Sequence, residues 1–201
     1  AHGFARNHRW QLNAIEQLKD QSTRVSLKLE ANEATQKLWP QAFELELTVL
    51  VAAELMVSLT MTNRSDEVCV FTSALHTYLQ VGDIREISVS GLEQTAFLDK
   101  VQNFERFTQQ DSIRFDGELD RIYQNTSADI IVHDPVLKRQ LRIAKSGSHS
   151  TVVWNPWIDK SAAMSDFEQD GYLHMLCIEA ANAADDRIQL QAGKSHVLKT
   201  V

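Results

Sequence analysis

FELELTVLVAAELMVSLTM, residues 43–61, alternates apolar and polar side chains with a period of two. Phe43, Leu45, Leu47, Val49 and Val51 alternate with Glu44, Glu46, Thr48 and Leu50, and beyond Ala52-Ala53 the positions Leu55, Val57, Leu59 and Met61 resume the pattern. Successive side chains of an extended chain point to opposite faces, so each run buries one face and offers the other to water. Two such runs with a short connection predict a β-hairpin. Asn63-Arg64-Ser65-Asp66 supplies turn chemistry and closes the second strand.

Outward from this hairpin, short strand-like segments recur at 24–29, 68–71, 87–90, 113–115, 129–132, 141–144, 151–154, 175–180 and 196–199. A helix of one or two turns is predicted over 32–38. It stops before Trp39-Pro40, because the residue preceding a proline is pushed out of the helical region. Another is predicted near 161–167. Many short strands without β-α-β alternation predict an all-β antiparallel β-sandwich rather than a Rossmann or TIM architecture. No repeat and no linker interrupts residues 1–201, which read as a single domain.

Composition narrows the partners. The 201 residues carry 20 Lys and Arg against 27 Asp and Glu, a formal charge of −7. A phosphate-backbone binder needs a dense basic face, so nucleic acid is excluded as a partner. A small anionic ligand needs only one or two well-placed arginines. Cys69 and Cys177 follow neither metal nor redox spacing, and no disulfide is expected. No His/Cys cluster suggests a metal, and no cofactor is expected. The longest apolar-rich stretch is broken by Glu54, so no membrane span is expected. The first ten residues lack the apolar core of a signal peptide, and a cytoplasmic location is the default expectation.

Polar residues interrupt apolar strands at a few places. His76, in TSALHTY, has a side chain able to exchange a proton near neutrality, although a single histidine is more often a hydrogen-bonded structural residue. Glu179 ends the apolar run of MLCIEAAN. Burial there raises a carboxyl toward the range of a general base, and a salt-bridged strand end is the alternative. In FDGELDRIY, Asp120 and Arg121 have the types that hold sugar hydroxyls and anions, while a solvated loop is the plainer reading of so charged a run. His2-Gly3-Phe4-Ala5-Arg6 and Trp154-Asn155-Pro156-Trp157 are also unusual, the tryptophans suiting a carbohydrate floor or a core cap. His133, His149 and His196 lie in polar or turn contexts and are expected to face solvent. His8 and His174 have no obvious partner.

The ordered set HGFAR, TSALHTY, ISVSGL, GELDRIY, VVWNPW and DGYLHMLCIEAAN resembles the glucose-6-phosphate 1-epimerase family, hexose-6-phosphate mutarotases within the aldose 1-epimerase superfamily. The resemblance implies a galactose mutarotase-like β-sandwich. It implies isomerisation of an aldohexose 6-phosphate at C1, with His76 and Glu179 catalytic. Asp120 would bind sugar hydroxyls and Arg6 the phosphate, with His2 close to the sugar and neither metal nor cofactor. From the residues themselves, Arg121 is a second candidate for the phosphate, and Asn155 and Trp157 are candidates for the carbohydrate floor. A monomer or homodimer is implied. Family members carry further strands before HGFAR, so a sandwich without its N-terminal strands is expected, with apolar sheet faces or edges uncovered. An aldose 1-epimerase for unphosphorylated sugar and a non-catalytic carbohydrate-binding sandwich are the alternatives.

Overall fold

The computed structural model of the protein describes residues 2–165, 167–168 and 170–201. Among these the hairpin forms as the alternation predicts, with Phe43–Val51 pairing Leu55–Asn63 from Phe43↔Asn63 to Val51↔Leu55. It is the centre of a six-stranded sheet in the order Gln11–Gln17, Thr23–Glu30, Phe43–Val51, Leu55–Asn63, Ser195–Thr200, Lys145–Ser146. The turn after the hairpin is built by the buried Asn63. Its Oδ1 accepts from Ser65 N and Oγ at 3.0 and 2.7 Å, and its Nδ2 donates to the carbonyls of Glu67 and Leu190 at 2.7 and 2.9 Å.

A second sheet runs Glu105–Thr108, Ala96–Asp99, Leu119–Tyr123, Ser150–Asn155, Met175–Asn182, Ser73–Leu75, with Tyr78–Gln80 also paired to Met175–Asn182. Every pairing is antiparallel. Leu75, Ala180 and Leu198 pack with Leu47, Val57 and Leu59, which joins the two sheets. The main core lies on one face of the second sheet, where Val153, Leu176, Ile178 and Tyr123 meet Ile84, Ile87, Val89, Ile130 and Val132 from a smaller three-stranded sheet and its flanks. The all-β antiparallel fold read from the sequence is therefore correct.

Several local expectations shift. The first helix spans Glu33–Leu38, closed by a capping box in which Asn32 and Thr35 bond each other's backbone. The second is Trp157–Ala163, earlier than 161–167; Asp166, within that span, lies outside the described residues. Segment 113–115 supplies a single antiparallel bridge, Val89↔Ile113, instead of a strand. The charged run at 115–123 divides: Asp116 and Gly117 lie in a bend and Glu118 just before the strand, as a loop reading expects, and the rest does not. Leu119–Tyr123 is an inner strand between Ala96–Asp99 and Ser150–Asn155. Its charged residues are partnered in the fold, which is why composition disguised it.

The register places Ile15, Val25, Val49 and Val57 in one row across four strands. Val57 is packed against the second sheet, but toward the outer edge and the hairpin end the same face is uncovered: Leu12, Ile15, Val51 and Leu55 are all more than half exposed. Uncovered apolar sheet surface is what the sequence led us to expect.

Gly147 lets the short edge strand Lys145–Ser146 pass close to its neighbour. Its φ is +77°, and a Cβ there would lie 1.8 Å from the Val197 carbonyl oxygen. A left-handed backbone and an overlap with rigid main chain each cost an alanine. Gly147→Ala is expected to lower stability by roughly 2–4 kcal/mol, read as a lower urea midpoint at unchanged m.

Candidate active site

Strand register assembles the site. Ser73–Leu75 pairs Leu75↔Ala180 and Tyr78–Gln80 pairs Tyr78↔Cys177 against the same strand, which makes His76, in the break between them, the position opposite Glu179. Further pairs extend two parallel rows across the sheet. One runs Ile122, Val152, Glu179; the other runs Asp120, Trp154, Cys177, Tyr78. Residues two apart on a strand share a face, so both rows look the same way. This face is opposite the one that packs Val153 and Ile178 into the main core.

His76 Nε2 lies 3.3 Å from Glu179 Oε1. The histidine stacks on Tyr78, with centroids 4.8 Å apart and planes 16° apart, and meets the Trp154 ring edge-on at 5.7 Å. Its Nδ1 lies 3.6 Å from Cys177 Sγ. Glu179 is only 6% exposed. Burial, reinforced by the charge of Asp120 and opposed by Lys100, pushes its carboxyl up to about 7. Burial also lowers His76, helped by the charges of His2 and Arg6 and countered by its own backbone carbonyl and Asp120. Burial thus lifts the carboxyl into the range of the imidazole while making the imidazole a weaker base, so the two groups can share one exchangeable proton.

Asp120 closes the other side. Its Oδ2 accepts from Lys100 Nζ at 2.6 Å, and its Oδ1 is buried with no hydrogen-bond partner among the described residues. A buried carboxylate oxygen without a donor is a costly arrangement that a sugar hydroxyl would relieve. The N-terminal segment completes the wall. Phe4 packs against Trp39 and Phe43, and Ala5 O accepts from Trp10 Nε1 at 3.0 Å. That anchorage sets the His2 ring 5.3 Å from the His76 ring and leaves Arg6 exposed, with its charge acting on both histidines.

The structure thus gathers His76, Glu179, Asp120, His2 and Arg6 around one face, and sends three residues of the expected set elsewhere. Arg121, next to Asp120 on an extended strand, points to the opposite face. There it stacks over Phe97 at 4.6 Å, and donates to Gln109 Oε1 at 3.1 Å and Asp99 Oδ2 at 3.4 Å. Asn155 is fully buried; its amide donates to the carbonyls of Tyr172 and Met175, and its Oδ1 accepts from Trp157 N. Trp157 packs on Tyr172 beside the main core. The aromatic wall of the site is Trp154 with Tyr78. Lys100 was missed because the strand Ala96–Asp99 that delivers it was not recognised in the sequence. His174 has a partner after all, the Gly82 carbonyl at 2.8 Å from Nδ1. His196 is half-buried and bonds Asn182 Oδ1 at 3.1 Å. Among the described residues no three His, Cys, Asp or Glu gather as a metal cage, and no helix is long and apolar enough to cross a membrane.

Similarity to known proteins runs along the whole chain. The family model described as aldose 1-epimerase matches residues 1–201. A protein of Cenchrus ciliaris, provisionally named a glucose-6-phosphate 1-epimerase, is 37% identical over 208 residues, covering 96% of this chain and 61% of its own length. One of the same provisional name from Salmonella typhimurium is 33% identical over 202 residues, covering all of this chain and 67% of the relative. A crystal structure from Salmonella typhimurium, titled provisionally as a mutarotase, superposes with a TM-score of 0.88 at 32% identity, covering 98% of this chain and 65% of that one. The chain spans about two thirds of the length of the relatives it matches. With a model match along its whole length and curated relatives above 30% identity, this chain belongs to the aldose 1-epimerase family.

Proposed function

We propose that the protein interconverts the α and β anomers of an aldohexose 6-phosphate, with glucose 6-phosphate as the reference substrate. The observation that carries this reading is the 3.3 Å contact between His76 Nε2 and Glu179 Oε1, beside a buried Asp120 oxygen that has no donor among the described residues. A binding module has no use for a proton shared between an imidazole and a carboxyl whose ordinary affinities have moved toward each other.

Anomer exchange needs the pyranose ring to open. Glu179, ionised, takes the proton of the C1 hydroxyl as the C1–O5 bond breaks, and protonated His76 gives its Nε2 proton to the ring oxygen. The C1–C2 bond rotates and the aldehyde offers its other face. Glu179 then returns its proton to the C1 oxygen while His76 recovers one from O5, so the pair ends as it began. No net proton is consumed and no covalent intermediate forms. Asp120 with Lys100 holds ring hydroxyls, the carboxylate accepting and the ammonium donating. Trp154 and Tyr78 give the ring an apolar wall. The guanidinium of Arg6, exposed at the rim, receives the 6-phosphate through charge-assisted hydrogen bonds.

The test is exchange NMR between the anomers of glucose 6-phosphate and, separately, of glucose. Arg6→Ala is expected to raise KM for the phosphorylated sugar roughly 10–100-fold, the worth of one or two charge-assisted bonds, and to leave glucose nearly unchanged. Equal losses on both sugars remove Arg6 from the phosphate site. Faster exchange of glucose than of its phosphate supports an aldose 1-epimerase of unphosphorylated sugar instead.

A further inference from the structure

Cys177 touches His76 on the side away from Glu179. Its Sγ lies 3.6 Å from Nδ1, whereas Nε2 faces Glu179 Oε1 at 3.3 Å, so each ring nitrogen has its own partner. The thiol is fully buried and held by register opposite Tyr78 on one side and Trp154 on the other. A neutral imidazole has one N–H and one lone pair, and the partner of one nitrogen decides what the other can do.

We propose that Cys177 is a positioning residue whose sulfur accepts the Nδ1–H of His76, so that Nε2 is the nitrogen that exchanges protons with Glu179 and with the substrate. The last clause rests on the mutarotase reading; the contact itself does not.

Proton counting favours this direction over its reverse. An imidazolium that gives its Nε2 proton to a ring oxygen is left with its proton on Nδ1. A sulfur that accepts suits that product and the imidazolium alike. A thiol donating to Nδ1 would fit only the tautomer with a protonated Nε2, which would have to become an imidazolate to act as the acid. Transfer of the thiol proton is no escape, because burial and the charges of Glu179 and Asp120 hold the thiol well above its ordinary range. Around His76 the remaining polar and charged neighbours are His2, Tyr78, Arg6 and Asp120, along with its own carbonyl, which favours the protonated ring. A neutral sulfur accepts weakly, so it orients the ring without making it as basic as a carboxylate partner would.

The test reads the tautomer of His76 by 15N NMR of the ligand-free chain over the pH range in which the imidazole is found neutral, with the resonances assigned by loss in His76→Asn. The expected spectrum shows a protonated Nδ1, an unprotonated Nε2 and a slowly exchanging Nδ1–H. In Cys177→Ala the slow exchange is lost and kcat falls about tenfold at little changed KM, one hydrogen bond's worth. Cys177→Ser, which restores an acceptor, regains both. A protonated Nε2 with an unprotonated Nδ1 in the wild-type chain overturns the proposal, as does Cys177→Ala with unaltered exchange and kcat. Should Cys177→Ala not fold, the wild-type spectrum and Cys177→Ser decide. An Nδ1–H signal in a chain without mutarotase activity leaves the Cys177 contact standing and defeats the functional reading; activity with an Nε2–H signal does the reverse.

Discussion

His76→Asn and Glu179→Gln each lower kcat for anomer exchange of glucose 6-phosphate about 10²–10⁴-fold, the usual contribution of a positioned acid or base. Glutamine keeps the shape of Glu179, asparagine keeps a smaller polar side chain in place of His76, and neither can titrate. The double variant is expected to be scarcely slower than the poorer single one. The two groups pass protons as a unit, and once either is gone the other has no partner step to complete. KM should change little in all three variants, because Asp120, Lys100 and Arg6 hold the sugar phosphate from other strands and the N-terminal segment. Fluorescence or NMR titration with the sugar phosphate verifies that binding persists. Wild-type rates in both single variants would eliminate the proton-shuttle reading. Multiplicative losses in the double variant would show instead two groups acting independently.

Glu179→Gln is expected to gain stability in alkaline solution even as it loses activity. The folded protein raises the Glu179 carboxyl from 4.5 to about 7. A raised carboxyl means that the fold prefers the neutral form. Its contribution is therefore whole below about 4.5, the value of the unfolded chain, and is lost as pH climbs through 7. At pH 8 the ionised carboxylate is held in a site that disfavours it at a cost on the order of 3 kcal/mol. Glutamine is neutral at every pH and is spared that cost. Urea melts at pH 5 and pH 8 provide the measurement. The variant and wild type should differ little at pH 5, and the variant should be more stable at pH 8. A gap of the same size at both values would attribute the change to packing rather than to charge. Sites tuned for proton transfer commonly trade stability for function in this way.

Much of the site was legible in the sequence, and the reasons differ by residue. His76 and Glu179 stood out because each interrupts an apolar run. Asp120 did so as part of a charged cluster. Arg121 sits beside Asp120 in the chain and so looked like its companion, yet on a strand adjacent residues face opposite ways. Treating LDRIY as a strand would have separated them, but four charged residues close together, Asp116, Glu118, Asp120 and Arg121, imitate a loop. Asn155 and Trp157 carry the right chemistry and are committed to the interior. Their partners, Tyr172 and Met175, come from a later segment whose proximity no local pattern announces. Lys100 follows a short strand with little alternation to reveal it.

Local alternation thus determined that the chain is all-β, where its longest strands run and which residues had chemistry to offer, because side-chain direction along a strand is a property of neighbouring residues. Which strands lie side by side is fixed by burial and long-range hydrogen bonding. Only the folded sheet decided that Ser73–Leu75 pairs with Met175–Asn182 in the register that sets His76 against Glu179, and that Lys100, Trp154 and Cys177 share their face.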